Sequence, residues 1–416
     1  MLMYHNIVSD KAFRAIHAWV QRKLGEVAEF SKGNGYSKGD LIDKGNPIIL
    51  YGRLYTNYET LIENVDTFTK MKENSVFSQG GEVIIPSSGE TAEDISRASV
   101  VAKAGIILGG DLNIVKPDST IYPTFLAIII SNGNQQKELS KRAQGKSVVH
   151  ISNSDLKEVV LQLPSIIEQI AINNFFRTLD DTITLYKRKL DGLKELKKGY
   201  LQQMFPQVEE NSPRVRFAEF AEPWEQRKLG EVVEKLKSYP LSRDVENENA
   251  TGYRYIHYGD IHKQRADIIT NDEQLPSIKV GDYISLQCGD VIVADASEDY
   301  TGIAEPSVII HEPVEKIIAG LHTIAMRPIE TDSLYLYYLL HTEHFKKFGG
   351  ETGTGLKVFG ISFNNLTKYE TSYPATSEQT VIGNFFRSLD AQINTHQAKL
   401  DKLKQLKSTY LQKMFI

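Results

Sequence analysis

A single cysteine, Cys288, leaves nothing to pair with, so no internal disulfide framework can form and a reducing compartment is expected. Long apolar runs are also missing. The most hydrophobic stretch, Ile121 to Ile130, contains Pro123 and falls far short of the roughly 20 residues that span a bilayer, which excludes a membrane role. The N-terminus has no basic patch followed by an apolar stretch and a small-residue cleavage site, so no signal peptide is expected and the location is read as cytoplasmic.

Complete catalytic signatures are absent too. Gly145-Lys146-Ser147 resembles the end of a phosphate-binding loop, but Ser140 stands where its first glycine belongs. Gly350 to Gly355 has the glycine spacing, yet Leu356 replaces the lysine. His341 and His344 fall on one predicted helix face, but no cysteine or carboxylate pattern completes a metal site, and both read as solvated surface histidines. No serine elbow or zincin motif occurs. The chain also lacks any Pro-Pro dipeptide, which excludes a self-contained enzyme using the Pro-Pro-aromatic motif of amino-methylating DNA enzymes. No metal and no catalytic residue is therefore assigned.

What is present is a repeat. NFFRTLDDTITLYKRKLDGLKELKKGYLQQMF, from Asn174, returns as NFFRSLDAQINTHQAKLDKLKQLKSTYLQKMF, from Asn384, a shift of 210 positions without a gap. QRKLGEV starts at Gln21 and again at Gln226. The molecule is two copies of one plan, a variable globular unit followed by a long helix, and such pseudo-symmetry suggests a target read in two halves. The length suits two or three domains.

The variable units diverge outside a few anchors. Short β-rich runs, Pro47 to Tyr51 and Glu82 to Pro86 in the first and Val291 to Ala294 in the second, are punctuated by Gly, Asn and Ser. One helix is predicted over Tyr122 to Arg142 and its counterpart over Ser333 to Phe348. Mixed strands and helices make each unit an α/β globule. Trp19 and Trp224 match in the repeat and are expected to anchor the two cores.

The repeated helices carry a heptad. Phe176, Leu179, Ile183, Tyr186, Leu190, Leu193, Lys197, Tyr200 and Met204 alternate spacings of three and four. Phe386, Leu389, Ile393, His396, Leu400, Leu403, Lys407, Tyr410 and Met414 keep the same register. Such a seam requires a partner helix, and the other copy is the obvious one. Pro164 and Pro374 precede the helices, and Ser165 with Glu168 forms a capping box in the first, whereas Ala375 stands at the serine position in the second. Gly192 and Gly199 make the first helix the softer, at about 1 kcal/mol each relative to alanine. About 40 residues give a rod of roughly 60 Å. The segment from Pro206 to Pro223 reads as a polar, proline-bounded linker that lets the second helix run antiparallel to the first, with the globules at opposite ends.

The net charge is −5, which argues against indiscriminate nucleic-acid binding. The repeated segments 166–205 and 376–416 carry +2 and +3, so the remainder totals −10. A DNA reader with acidic units needs local basic patches, a basic partner, or both. Candidate contacts in the first unit are Lys32, Asn34, Tyr36 and Lys38, then Arg53, Tyr55 and Asn57, and Ser87 with Ser88. In the second they are Arg254, Tyr255, His257 and Tyr258, then Lys263 and Arg265 within His262 to Arg265, and Tyr300. These side chains bridge phosphates and read base edges. Taken singly, each also reads as an ordinary hydrophilic loop residue.

Together these residues resemble the specificity subunit of Type I restriction-modification systems over nearly the whole chain. The resemblance rests on W-x-QRKLGEV at Trp19 and Trp224, on the Pro-x-x-x-Glu-Gln entry at Pro164 and Pro374, and on the FFR-x-LD to YLQ-x-MF helices. Ile85 to Thr91 also looks like that family's target-recognition domains. The resemblance implies target-recognition domains over 1–163 and 223–374, conserved helices over 164–205 and 375–416, and a linker over 206–222. It further implies a bipartite asymmetric site in double-stranded DNA, with the paired helices as a ruler for the gap. Two DNA-methyltransferase modification subunits would supply S-adenosylmethionine chemistry, and restriction subunits ATP- and Mg-dependent translocation and cleavage, leaving no cofactor on this chain. The second unit is entered through Phe217 to Trp224 as the family leads one to expect, whereas the first departs from that pattern and is entered through Ile16-His-Ala-Trp19. Two rivals stand beside this reading: a methyltransferase or nuclease with an unrecognised site, and a coiled-coil assembly protein that ignores DNA sequence.

Overall fold

The structure, a computed structural model, describes residues 19–145, 148–207, 210–298, 302–355 and 358–415. The chain forms two compact units. The first holds the residues up to Tyr186 and those from Lys399 onward; the second holds Lys187–Ala398.

The first unit is built on a five-stranded sheet in the order Ala28–Lys32, Leu112–Pro117, Glu82–Pro86, Ser99–Val101, Leu61–Ile62. Neighbours run antiparallel except the last, which is parallel. Glu82–Pro86 lies centrally and is buried along its whole length, which is why its residues after Glu82 form a continuous apolar run rather than an alternating one. A second five-stranded sheet contains the parallel pair Asn46–Ile49 and Ala104–Leu108.

The second unit repeats this design with different residues. Its sheet runs Val233–Lys235, Thr323–Pro328, Val291–Ala294, Pro306–Ile309, Ile268–Ile269, with the same antiparallel pairings and the same parallel edge. Its parallel pair is Tyr253–Ile256 with Lys316–Ala319.

Each unit packs a buried helix on its main sheet. The apolar run near Ile121 resolves as Pro123–Ile130, with Pro at the first turn and every later residue buried. The expected helix over Tyr122 to Arg142 is in fact two, because Asn132 turns extended (φ −146°, ψ 159°) before Gly133–Arg142 begins. The side-chain amide of Asn132 donates back to the Ile128 carbonyl at 2.8 Å, stopping the first helix. The counterpart is likewise divided into Ser333–Leu339 and Glu343–Thr352, with Thr342 capping the second piece.

The QRKLGEV repeat has a packing explanation. Val20–Lys23 pairs with Val160–Leu163, and Glu225–Lys228 with Glu370–Tyr373. Leu24 and Leu229 then drop into their cores at 0% exposure. A side chain on Gly25 would lie 2.9 Å from Lys157 Cβ, and one on Gly230 would lie 2.8 Å from Thr367 Cβ, so neither glycine leaves room for anything larger. Both tryptophans are anchors: Trp224 is buried, and half-buried Trp19 packs edge-on to Phe125.

The long helices span Ile166–Gln203 and Thr376–Met414. Their entry motif works through glutamine. Gln169 is fully buried, donates to the carbonyls of Thr120 and Pro164, both at 3.0 Å, and accepts from the Tyr122 amide at 2.8 Å. Gln379 repeats this, donating to the Pro374 carbonyl and accepting from Thr331 and the Asp332 amide. Ser165 Oγ accepts from the Glu168 amide at 3.3 Å, which is half of the expected capping box; the Glu168 carboxylate takes the Trp19 indole N–H, also at 3.3 Å.

Within each unit the two helices pair antiparallel. In the first, Phe175 meets Tyr410, Asp180 meets Lys407, and the Lys399 ammonium lies over the Tyr186 ring. In the second, Lys197 meets Asp390 and Tyr200 meets Phe385. Along the seam Phe176, Leu179, Leu190, Phe386, Leu389 and Leu400 are buried, and Ile183, Leu193, Ile393 and Leu403 are half-buried, as a heptad requires.

The seam lysines are ion-paired rather than apolar substitutes. Lys407 Nζ lies 2.5 Å from Asp180, and Lys197 Nζ lies 2.5 Å from Asp390. The pairs are related by the internal repeat but not identical, since the Tyr338 hydroxyl also donates to Asp390 at 2.7 Å while the matching position in the first unit is Ile128.

The expected polar linker is instead tied down. The amide of Val215 donates to the Gln203 carbonyl, and Phe217 packs edge-on to Phe385. Arg216 grips Glu378 through two 2.7 Å bonds, and Glu378 is 1% exposed. The segment reads as a polar linker because the partner of Arg216 lies far away in sequence.

Candidate nucleic-acid interface

One corner is built alike in both units. The strand of each parallel pair that comes first in sequence leads into a short helix, Arg53–Thr56 or Tyr258–His262. A side chain of that helix pins it to a two-stranded ribbon. The Tyr55 hydroxyl donates to the Ser88 carbonyl at 2.7 Å, where Ser88–Gly89 pairs with Val149–His150. His262 Nε2 donates to the Ala296 carbonyl at 2.8 Å, where Ala296–Ser297 pairs with Phe359–Gly360. Burial, with the Asp94 charge, pushes the Tyr55 phenol above its ordinary range, so it stays a donor.

This frame sorts the expected contact residues. Arg53 is clamped by Glu59 and Asp66 and donates to the Asn64 carbonyl. Arg254 is clamped by Glu315 at 2.7 and 2.9 Å and donates to the Leu275 carbonyl. Neither guanidinium is free for a phosphate, because nearby carboxylates already neutralise it. Tyr36 is buried, and its hydroxyl is engaged with Ser75 and the Lys72 amide. Tyr255 is wholly buried and donates to Glu246 at 2.8 Å. Ser87 and Ser88 are buried at the ribbon. His257 is buried as the cap of its helix, with Nδ1 accepting from the Gly259 amide. Like Tyr55, these seven residues are engaged within their own units, and their side chains are not surface contacts.

Lys32, Asn34, Lys38, Asn57, Lys263 and Arg265 are exposed, and the Asn34 side-chain amide donates to the Asn74 carbonyl at 3.2 Å. Half-buried Tyr258 is packed among the rings of His257, His262 and His322. Tyr300 lies outside the described residues. Sequence reasoning missed the pinning role of Tyr55 and His262 and the clamp of Arg243 on buried Asp260, at 3.0 Å through both oxygens. It carried no signal for them, because each partner lies well outside the local pattern.

The motif mimics also resolve. Gly145 (φ +137°) and Gly355 (φ +139°) have a positive φ, and a side chain there would fall 1.9 Å from the carbonyl oxygen of Val148 or Val358. Hairpin pairing of Gln144 with His150 and of Thr354 with Gly360 encloses them, which is not a strand-to-helix phosphate loop; Lys146, Ser147 and Leu356 lie outside the described residues. His341 is not solvated as expected, since its ring contacts the Tyr337 carbonyl and Glu305, and half-buried His344 packs on Tyr369. Among the described residues no group of three His, Cys, Asp or Glu is placed to hold a metal. Among them, too, no helix is long and apolar enough to cross a membrane.

Known proteins with the same organisation are specificity subunits. The chain is 20% identical over 98% of its length, and 96% of the relative's, to the Type I restriction enzyme MjaVIII specificity subunit of Methanocaldococcus jannaschii. Its fold matches the S subunit of a Type I restriction-modification system from M. genitalium, with a TM-score of 0.57, 14% identity and coverage of 97% of this chain and 98% of the other. A chain from a structural study of type I R-M complex assembly and conformational transition matches with a TM-score of 0.54, 16% identity and coverage of 96% and 98%. The family model for the Type I restriction modification DNA specificity domain matches twice, over residues 17–195 and 221–405, once for each copy of the repeat. With most of its length accounted for by those two matches, the chain belongs to the Type I restriction modification DNA specificity domain family.

Proposed function

We propose that this chain is the DNA-specificity subunit of a Type I restriction-modification system. Each unit reads one half of a bipartite, asymmetric target in double-stranded DNA. The chain itself carries out no catalysis. The observation behind this reading is that two units share one sheet order and one pinned corner, yet present different exposed residues at that corner. A common frame with different tips is what two unlike half-sites require. Lys32, Lys38, Lys263 and Arg265 supply phosphate contacts, which set register on the duplex, while polar tips contact bases.

In this reading the paired helices set the gap between the half-sites. Two methyltransferase subunits dock on the chain and bring S-adenosylmethionine, and restriction subunits bring ATP- and Mg-dependent steps. The test is to exchange residues 19–163 for the corresponding domain of another family member and sequence the methylome of a host carrying the modification subunits. One half of the methylated sequence changes and the other half and the gap remain; an unchanged site refutes the assignment.

A further inference from the structure

We propose that Asn57 and Gln264 are the base-reading amides of the two units, each recognising an adenine edge in the major groove. The inference rests on the specificity reading above and assigns side chains within it.

The two residues occupy one place in the shared frame. Each is the second residue after the side chain that pins the short helix to its ribbon, Tyr55 in one unit and His262 in the other. Their neighbours differ, with Thr56 and Tyr58 around the first and Lys263 and Arg265 around the second, yet both positions hold a carboxamide. Both are exposed, and among the described residues neither side-chain amide has a hydrogen-bond partner. By contrast, Arg53 in the first short helix and Arg243 against the second are held by carboxylates, and Arg265 lies 4.0 Å from Asp260. The carboxamide is left as a neutral polar group with no partner among the described residues.

Gln264 adds a backbone observation. Helix Tyr258–His262 ends with the Arg265 amide donating to the Asp260 carbonyl at 2.9 Å and the Gln264 amide to the Ile261 carbonyl, also at 2.9 Å. This Schellman ending places Gln264 in the left-handed region, φ +55°. Glycine is the unstrained residue there, and a glutamine has to bear the conformational penalty. Its side chain is exposed and makes no hydrogen bond among the described residues. A carboxamide offers one donor and one acceptor side by side, the complement of adenine N7 and N6–H. Exposed Lys263 and Arg265 flank it with cations for the phosphates.

The test uses the full chain expressed with its modification subunits and reads the methylome for wild type, Asn57→Ala, Gln264→Gly and Gln264→Ala. Gln264→Gly should relax one A·T position in one half-site, with discrimination there falling about 10- to 100-fold and the other half-site unchanged. Asn57→Ala should do the same in the other half-site. Gln264→Gly should melt at or above the wild-type temperature, because glycine suits the left-handed position, which separates lost reading from lost folding. Wild-type discrimination in Asn57→Ala and both Gln264 variants overturns the assignment, as does relaxation at a G·C pair. If the wild-type complex methylates without sequence preference, the specificity reading itself falls.

Discussion

The unequal ion pairs along the helix seam make a quantitative prediction. Asp180 meets only Lys407 among the described side chains, and the two are 39% and 27% exposed. Exposed or half-exposed pairs of this kind contribute about 1 kcal/mol at most. Asp390 meets Lys197 at 19% and 22% exposure and also accepts the hydroxyl of fully buried Tyr338. Removing its carboxylate strands that hydroxyl, an additional loss of about 1–3 kcal/mol. Asp390→Ala should therefore destabilise by about 2–4 kcal/mol and Asp180→Ala by about 1 kcal/mol. The two tryptophans, one per unit, provide separate readouts. In a Trp19→Phe background, urea unfolding followed by Trp224 fluorescence should show the Asp390→Ala midpoint falling by roughly 1 M or more. In a Trp224→Phe background, Asp180→Ala should shift the Trp19 transition by about half as much or less. Tyr338→Phe should remove most of the difference, because it deletes the hydroxyl that Asp390→Ala strands. Equal shifts for the two aspartates would refute the account.

Gly192→Ala and Gly199→Ala should each stabilise the first long helix by about 1 kcal/mol, because a side chain there meets nothing within 4 Å; circular-dichroism melts of the double variant showing no gain would contradict this. Arg216→Met should cost about 3 kcal/mol in the Trp224 transition, since it leaves Glu378 buried without its cation, whereas a loss below 1 kcal/mol would mean that segment 206–222 does not hold the second helix in solution. Burial, with Arg243 nearby, holds the His257 imidazole below its ordinary pKa, so the unfolded chain binds a proton that the folded chain refuses. That contribution to stability is complete above about pH 6.5 and declines as the pH falls below it. His257→Ser keeps a capping oxygen without titrating, so the wild type should lose more stability than the variant between pH 7 and pH 5; parallel curves in urea titrations would rule out this role.

The amino-acid sequence by itself determined the duplication, the heptad seam, the two cores anchored at Trp19 and Trp224, and the family. These are local periodicities or matches between copies, and a stripe of Phe176, Leu179 and Leu190 has to be covered wherever the chain goes. The central strands were legible for the same reason, since Val83–Pro86 and Val291–Ala294 are apolar throughout. Tertiary structure decided everything that depends on a partner remote in sequence. It turned Arg53 and Arg254 from candidate phosphate contacts into carboxylate-bound supports, buried Tyr36 and Tyr255, and gave the seam lysines their aspartates. It also docked the supposed linker through Arg216 and Glu378. A charged or aromatic side chain looks the same in the sequence whether it faces water or a carboxylate, and only folding brings that carboxylate within 3 Å.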